Sequence, residues 1–183
     1  MTRGQRATRS CVIFLACLAW LGSAMAQMEP TLRSLLSEYR CPVVDRLERI
    51  YSHGDPSSHA DRFLAITHPG HSHGYVQCMF FENRRRLLCE ASSGFFLAPH
   101  DAPRTFHLQP DAISALGRLG FSTDGSQGNF RLERELGEKP DFNALADLIL
   151  RTLHDGYGAR ADSGLRANAP FARGRSPACI PIR

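Results

Sequence analysis

Beyond its first 26 residues the 183-residue chain has no apolar run near the roughly 20 residues that a membrane-spanning helix requires. It also lacks paired CxxC spacing and any internal repeat, which argues against a zinc-ribbon module and against a solenoid. Charge of one sign is scarce as well. The formal net charge is +4, but Arg3, Arg6 and Arg9 fall in residues 1–26 with no acid beside them, so the remainder is close to neutral. That near-neutrality excludes a generic nucleic-acid binder, whose affinity rests on many phosphate contacts. What is present is globular: 43% apolar and 22% charged residues, in a length that fits one domain with a sizeable core.

Residues 1–26 have the three parts of a secretory signal. The three arginines are followed by the apolar run Cys11 to Gly22 and by Ala24-Met25-Ala26, small residues that place a cleavage site before Gln27. The expectation is a periplasmic or secreted protein with no transmembrane segment. Four cysteines follow the signal: Cys41, Cys78, Cys89 and Cys179. An even number in an oxidising compartment reads as two disulfides.

Leu32, Leu35, Leu36, Tyr39, Val43, Leu47 and Ile50 lie on one helical face, so residues 30–51 read as a helix that Pro42 kinks or splits. Cys41 lies opposite that face. A polar loop follows, then strands at 62–67, 75–81 and 87–92. A turn centred on Asn83-Arg84 sets Cys78 opposite Cys89 and predicts a cross-strand disulfide, which leaves Cys41 and Cys179 to tie the end of the chain to the first helix. Pro110 to Leu119 reads as a short helix ended by Gly120, and 121–123 and 129–133 as two further strands. Asp141 caps a last helix to about Gly156, with Phe142, Leu145, Leu148, Ile149 and Leu153 inward and His154 on the solvent side. The fold class is α+β: an antiparallel sheet of about five strands with helices packed on one face.

The order of elements is joined by local signatures: Tyr75-Val76-Gln77 in the second strand, Cys89-Glu90-Ala91-Ser92-Ser93-Gly94-Phe95-Phe96-Leu97 after the third, Leu119-Gly120-Phe121, Asn129-Phe130, and Leu153-His154-Asp155-Gly156-Tyr157-Gly158 closing the last helix. Together they resemble the YbjN and TY-Chap branch of the type III secretion chaperone-like superfamily over roughly residues 31–158. The resemblance implies a small domain at 27–158 that binds a protein partner, often as a homodimer, without catalysis and without a cofactor. Residues 159–183, rich in Arg, Ala, Gly and Pro, read as an extended or loose tail tethered by Cys179.

Three constellations offer chemistry. Gly70-His71-Ser72-His73-Gly74 matches the GxSxG nucleophile elbow, but an elbow turns from strand into helix, whereas residues 75–81 read as a strand. A glycine-rich hairpin loop is the favoured reading, and Ser72 the residue a hydrolase would use. His68, His71 and His73 on the same loop are candidate ligands for zinc, copper or nickel, set against plain solvated loop histidines. Arg84-Arg85-Arg86 at a hairpin tip is either a solvated charge run or a contact for an acidic partner surface or anionic lipid headgroups. Phe95-Phe96-Leu97 reads as a core anchor rather than a contact patch. The expected function is therefore an exported, non-enzymatic protein-binding domain, with a periplasmic metal-binding protein or an immunity protein against a secreted toxin as alternatives.

Overall fold

The computed structural model describes residues 29–53, 62–71, 73–96, 108–126, 128–174 and 179. The expected signal, Ser72 and Leu97 lie outside these residues. Helix α1 runs Pro30–Ser52, opened by a proline whose missing N–H costs a first turn nothing. Pro42 does not split it. One lost backbone bond and a ring clash cost about 3 kcal/mol, whereas each fully buried leucine recovers about 1.5–3 kcal/mol. Leu32, Leu35, Leu36, Val43, Leu47 and Ile50 are all buried on the continuous stripe, so packing outweighs the break.

Strands β1 (Phe63–Thr67), β2 (Tyr75–Phe81), β3 (Arg86–Ala91), β4 (Phe130–Glu135) and β5 (Arg166–Asn168) form one antiparallel sheet in the order β4-β3-β2-β1-β5. Strict alternation of buried and half-buried residues in β2 and β3 gives the sheet two faces. The inner face carries Leu64, Ile66, Val76, Cys78, Phe80, Leu87, Cys89, Ala91, Phe130 and Leu132, which join the buried residues of all three helices in one core. The other two helices are α2 (Pro110–Arg118) and α3 (Phe142–Tyr157).

The five strands are not the five expected. Residues 121–123 contribute only a single bridge, Ser122 to Arg131. The reason is local: Gly120 takes φ +98° to end α2, Phe121 donates its N–H to Leu116 O at 3.1 Å, and the Phe121 ring turns into the core. Only Ser122 is left to reach β4. The fifth strand comes instead from the described residues after Gly158, where Leu165, Ala169 and Ala172 pack on the core. They form β5 and a single 3-10 turn, Pro170–Ala172.

Helix α3 is enclosed by α1, α2 and β2. Asp141 accepts from Ala144 N at 3.0 Å to cap its start, and Gly158 in the left-handed region closes its end, with Ala159 N bonding back to Leu153 O at 3.0 Å. Because neighbours surround it, the helix is buried well beyond one stripe. His154, expected on the solvent side, is 6% exposed. The first turn of α1 covers it: Nε2 lies 3.0 Å from Thr31 Oγ1 and 3.8 Å from Glu29 Oε2, and Nδ1 meets the Asp155 carboxylate. A fork from Arg40 to both oxygens of Asp147, at 2.6 and 2.8 Å, ties α1 to α3 further along.

Candidate peptide-binding surface

The outer face of the sheet is set by the same alternation that builds the core. Register places Phe63 beside Met79, Met79 beside Leu88, and Leu88 beside Glu133, so one row crosses four strands with three apolar side chains in sequence. Phe81 lies next to that row, opposite Arg86. Phe63, Met79, Phe81 and Leu88 are each half-buried by their strand neighbours, yet none belongs to the core or to the residues packed against it. Among the described residues the helices all serve the inner face.

The rim of this row is charged but self-paired. Arg86 bonds Glu82 at 3.0 Å and Glu133 at 2.6 Å, and its guanidinium lies 5.1 Å from the centre of the Phe81 ring. Hydrogen bonding to the Glu82 carboxylate holds the Arg86 pKa above its usual value. Arg131 sits 3.8 Å from Glu90 and 3.6 Å from Glu133. An apolar strip bordered by neutralised charges suits a ligand with apolar side chains and little net charge.

The start of β2 and the end of β3 are pinned from both sides, by Tyr75 on the outer face and by Tyr157 of α3 on the inner one. Tyr75 accepts through its hydroxyl from Asn129 Nδ2 at 2.7 Å, and Tyr157 donates its O–H to Ser92 O at 2.7 Å. Burial, with the neighbouring Tyr75, pushes the Tyr157 hydroxyl far above its ordinary range, so it remains a donor. Beyond this point Phe95 and Phe96 are 49% and 69% exposed, their rings edge to face at 5.1 Å. They do not anchor the core as expected. Ser93 Oγ bonds Gly128 O at 2.6 Å and fixes the loop against the start of β4, which directs the next residues outward.

Residues 68–74 join β1 to β2, so the chain leaves the Gly70–Gly74 motif into a strand and not into the helix that a nucleophile elbow requires. Two of the three histidines meet, the His68 and His71 rings lying edge to face with 6.1 Å between centres, and no third ligand joins them among the described residues. His68 Nε2 is 3.2 Å from Ser163 Oγ, the His71 ring packs against Tyr157 at 5.8 Å between centres, and His73 is exposed at φ +70°. Among the described residues no group of three or more His, Cys, Asp or Glu is placed to hold a metal. The arginine run likewise splits: Arg84 reaches back to His53 O at 3.2 Å and over the Tyr51 ring, Arg85 is exposed at the tip, and Arg86 serves the outer face.

Both disulfides are formed. Cys78 and Cys89 face each other across β2 and β3, Cα atoms 4.1 Å apart, at 2% and 0% exposure on the inner face. Cys41, exposed on α1, is bonded to Cys179, Cα atoms 5.5 Å apart. The outer-face row and the Thr31–His154–Asp155 network were not singled out from the sequence. The row was legible as the odd-numbered residues of β1 and β2 and the even-numbered residues of β3, which alternate with the core set.

A family model described as "T3SS (YopN, CesT) and YbjN peptide-binding chaperone 3" matches residues 44–171. The chain belongs to this TY-Chap3 family. The match takes in the whole sheet, α2, α3 and most of the closing 3-10 turn, while Cys41 and Cys179 lie outside it on either side. No curated protein and no solved structure matches the chain. A domain of this family is a chaperone-like, peptide-binding module, so a protein partner is implied, and no helix among the described residues is long and apolar enough to cross a membrane.

Proposed function

We propose that this chain is an exported, non-enzymatic TY-Chap3 domain that holds an apolar-anchored peptide segment of a partner protein on the outer face of its sheet. One observation carries the reading: the Phe63–Met79–Leu88 row, with Phe81 beside it, lies on a sheet face that none of the described helices covers. An apolar strip three strands wide, ended by Glu133 on β4, suits the alternate side chains of an extended peptide. Export is supported by the arginine, apolar and small-residue parts of residues 1–26 and by two disulfides in a short chain. The non-enzymatic reading is supported by the strand–loop–strand setting of the Gly70–Gly74 motif.

An array of peptides of about ten residues, graded in apolar content, tests the binding surface. The protein retains apolar-containing peptides, and Met79→Asp with Leu88→Asp abolishes retention while leaving thermal unfolding cooperative. Retention unchanged in that double variant contradicts the reading. Export is tested by N-terminal sequencing of the protein from a periplasmic fraction, with Gln27 expected as the first residue.

A further inference from the structure

We propose that the β1 edge of the sheet is a second capture site for an extended peptide, occupied in the oxidised protein by the chain's own β5, and that the Cys41–Cys179 bond is its latch. This rests on the peptide-binding reading above. Arg62 O accepts from Phe80 N at 3.4 Å and His68 N donates to Gly74 O at 2.9 Å, so the even-numbered residues of this segment turn toward β2. By alternation Phe63, Ala65 and Thr67 turn toward the other side, where β5 lies.

β5 fills that side incompletely. It sets Asn168 opposite Ala65 and Arg166 opposite Thr67. The next bonding position opposite Phe63 falls to Pro170, which has no N–H, and there the chain leaves the ladder in its 3-10 turn. All three β5 side chains are exposed, so the strand buries no apolar group of its own. A peptide without proline at that point would gain backbone bonds that β5 cannot make.

β5 is anchored at both ends, by Leu165, which packs against the core and donates its N–H to Tyr39 Oη at 3.3 Å, and by Ala169 and Ala172 in the core, and it is held again further along the chain. Arg49 donates to Arg173 O at 2.8 Å and Arg46 to Gly174 O at 3.3 Å, and a cleft of about 310 Å³ remains between α1 and this segment. The covalent hold is Cys41–Cys179, which makes β5 docking intramolecular and so raises its effective concentration at the edge. Cys41 is exposed, whereas Cys78 and Cys89 are sealed in the core. A thioredoxin-like dithiol can therefore reach one bond and not the other. Its thiolate attacks a latch sulfur to give a mixed disulfide, and its second thiol resolves that bond. Cys41 and Cys179 are released as two thiols, and the dithiol becomes a disulfide.

Hydrogen exchange on the exported chain, oxidised against Cys41→Ser with Cys179→Ser, tests the latch. Wild type under mild dithiol reduction, with Cys78–Cys89 verified intact by mass, serves as the second comparison. Opening the latch accelerates exchange roughly tenfold or more at the amides of Ala65, Thr67, Arg166 and Asn168, by a local opening that low urea does not alter, while Leu64, Ile66, β2 and β3 change only as far as global stability does. A fluorescein-labelled synthetic copy of residues 162–172 then binds the opened protein at least about tenfold more tightly than the oxidised one, and a Pro170→Ala copy binds more tightly still. Exchange at those four amides that changes only as much as β2 and β3 do overturns the latch, and faster local exchange without peptide uptake overturns the edge as a capture site. Met79→Asp with Leu88→Asp leaves the exchange difference in place, so failure of the outer-face reading is scored separately.

Discussion

The two disulfides of this chain do opposite kinds of work. Cys78–Cys89 joins adjacent strands inside the core, spans 11 residues and is closed to solvent. Cys41–Cys179 joins the outside of α1 to a segment beyond the family match, spans 138 residues and is open at Cys41. The first bond crosslinks residues whose register the hairpin already sets, so its loss is felt in core packing. The second restricts the unfolded chain far more, because closing a long loop costs more entropy, while in the folded protein it secures only the tail. Global stability and local access to the sheet are thus governed by the same clasp for different reasons.

That contrast can be broken. Removing the clasp with Cys41→Ser and Cys179→Ser should lower unfolding stability by about 5 kcal/mol, the chain-entropy value for so long a loop, read from urea midpoints at constant m. Cys78→Ala with Cys89→Ala should cost less, about 3 kcal/mol. A reversed order would place the dominant effect in native packing instead. A third change sharpens the role of the core away from either bond. A Cβ on Gly156 would stand 3.0 Å from Leu116 Cδ2, where α2 meets α3, so Gly156→Val should cost about 1–3 kcal/mol in the same assay. The smallest effect belongs to the β2–β3 turn, where Glu82, Asn83 and Arg84 all carry positive φ, 48°, 55° and 69°. Asn83→Gly should gain about 0.5 kcal/mol, the left-handed strain relieved less the entropy of glycine, visible as a small rise in Tm.

Much of the inner architecture was legible because periodicity and register are local. The stripe of α1, the Asp141 cap of α3 and the pairing of residue 78 with residue 89 follow from sequence pattern alone. What was not legible depends on neighbours distant in sequence. Arg166–Asn168 has no alternation to mark it as a strand, and it pairs because the β1 edge is what remains for the chain to reach. Residues 121–123 look like a strand, yet Phe121 is consumed in closing α2. His154 lies off the apolar stripe of α3 but under the first turn of α1, and no helical wheel shows a second helix. Phe95 and Phe96 have core composition and surface positions, since hydrophobicity does not say which way a loop turns. The outer-face row was written in the strands from the start, as the complement of the core set.

The central claim is that the uncovered sheet face is the peptide site, and amide and methyl chemical-shift mapping tests it most directly. An isotope-labelled, oxidised sample of the chain from Gln27 onward is titrated with an array-selected peptide. The account predicts shifts concentrated at Phe63, Met79, Phe81 and Leu88 and their strand neighbours, with the solvent faces of α1 and α2 silent. Shifts concentrated on those helices, with the Phe63–Met79–Leu88 row unmoved, would contradict it.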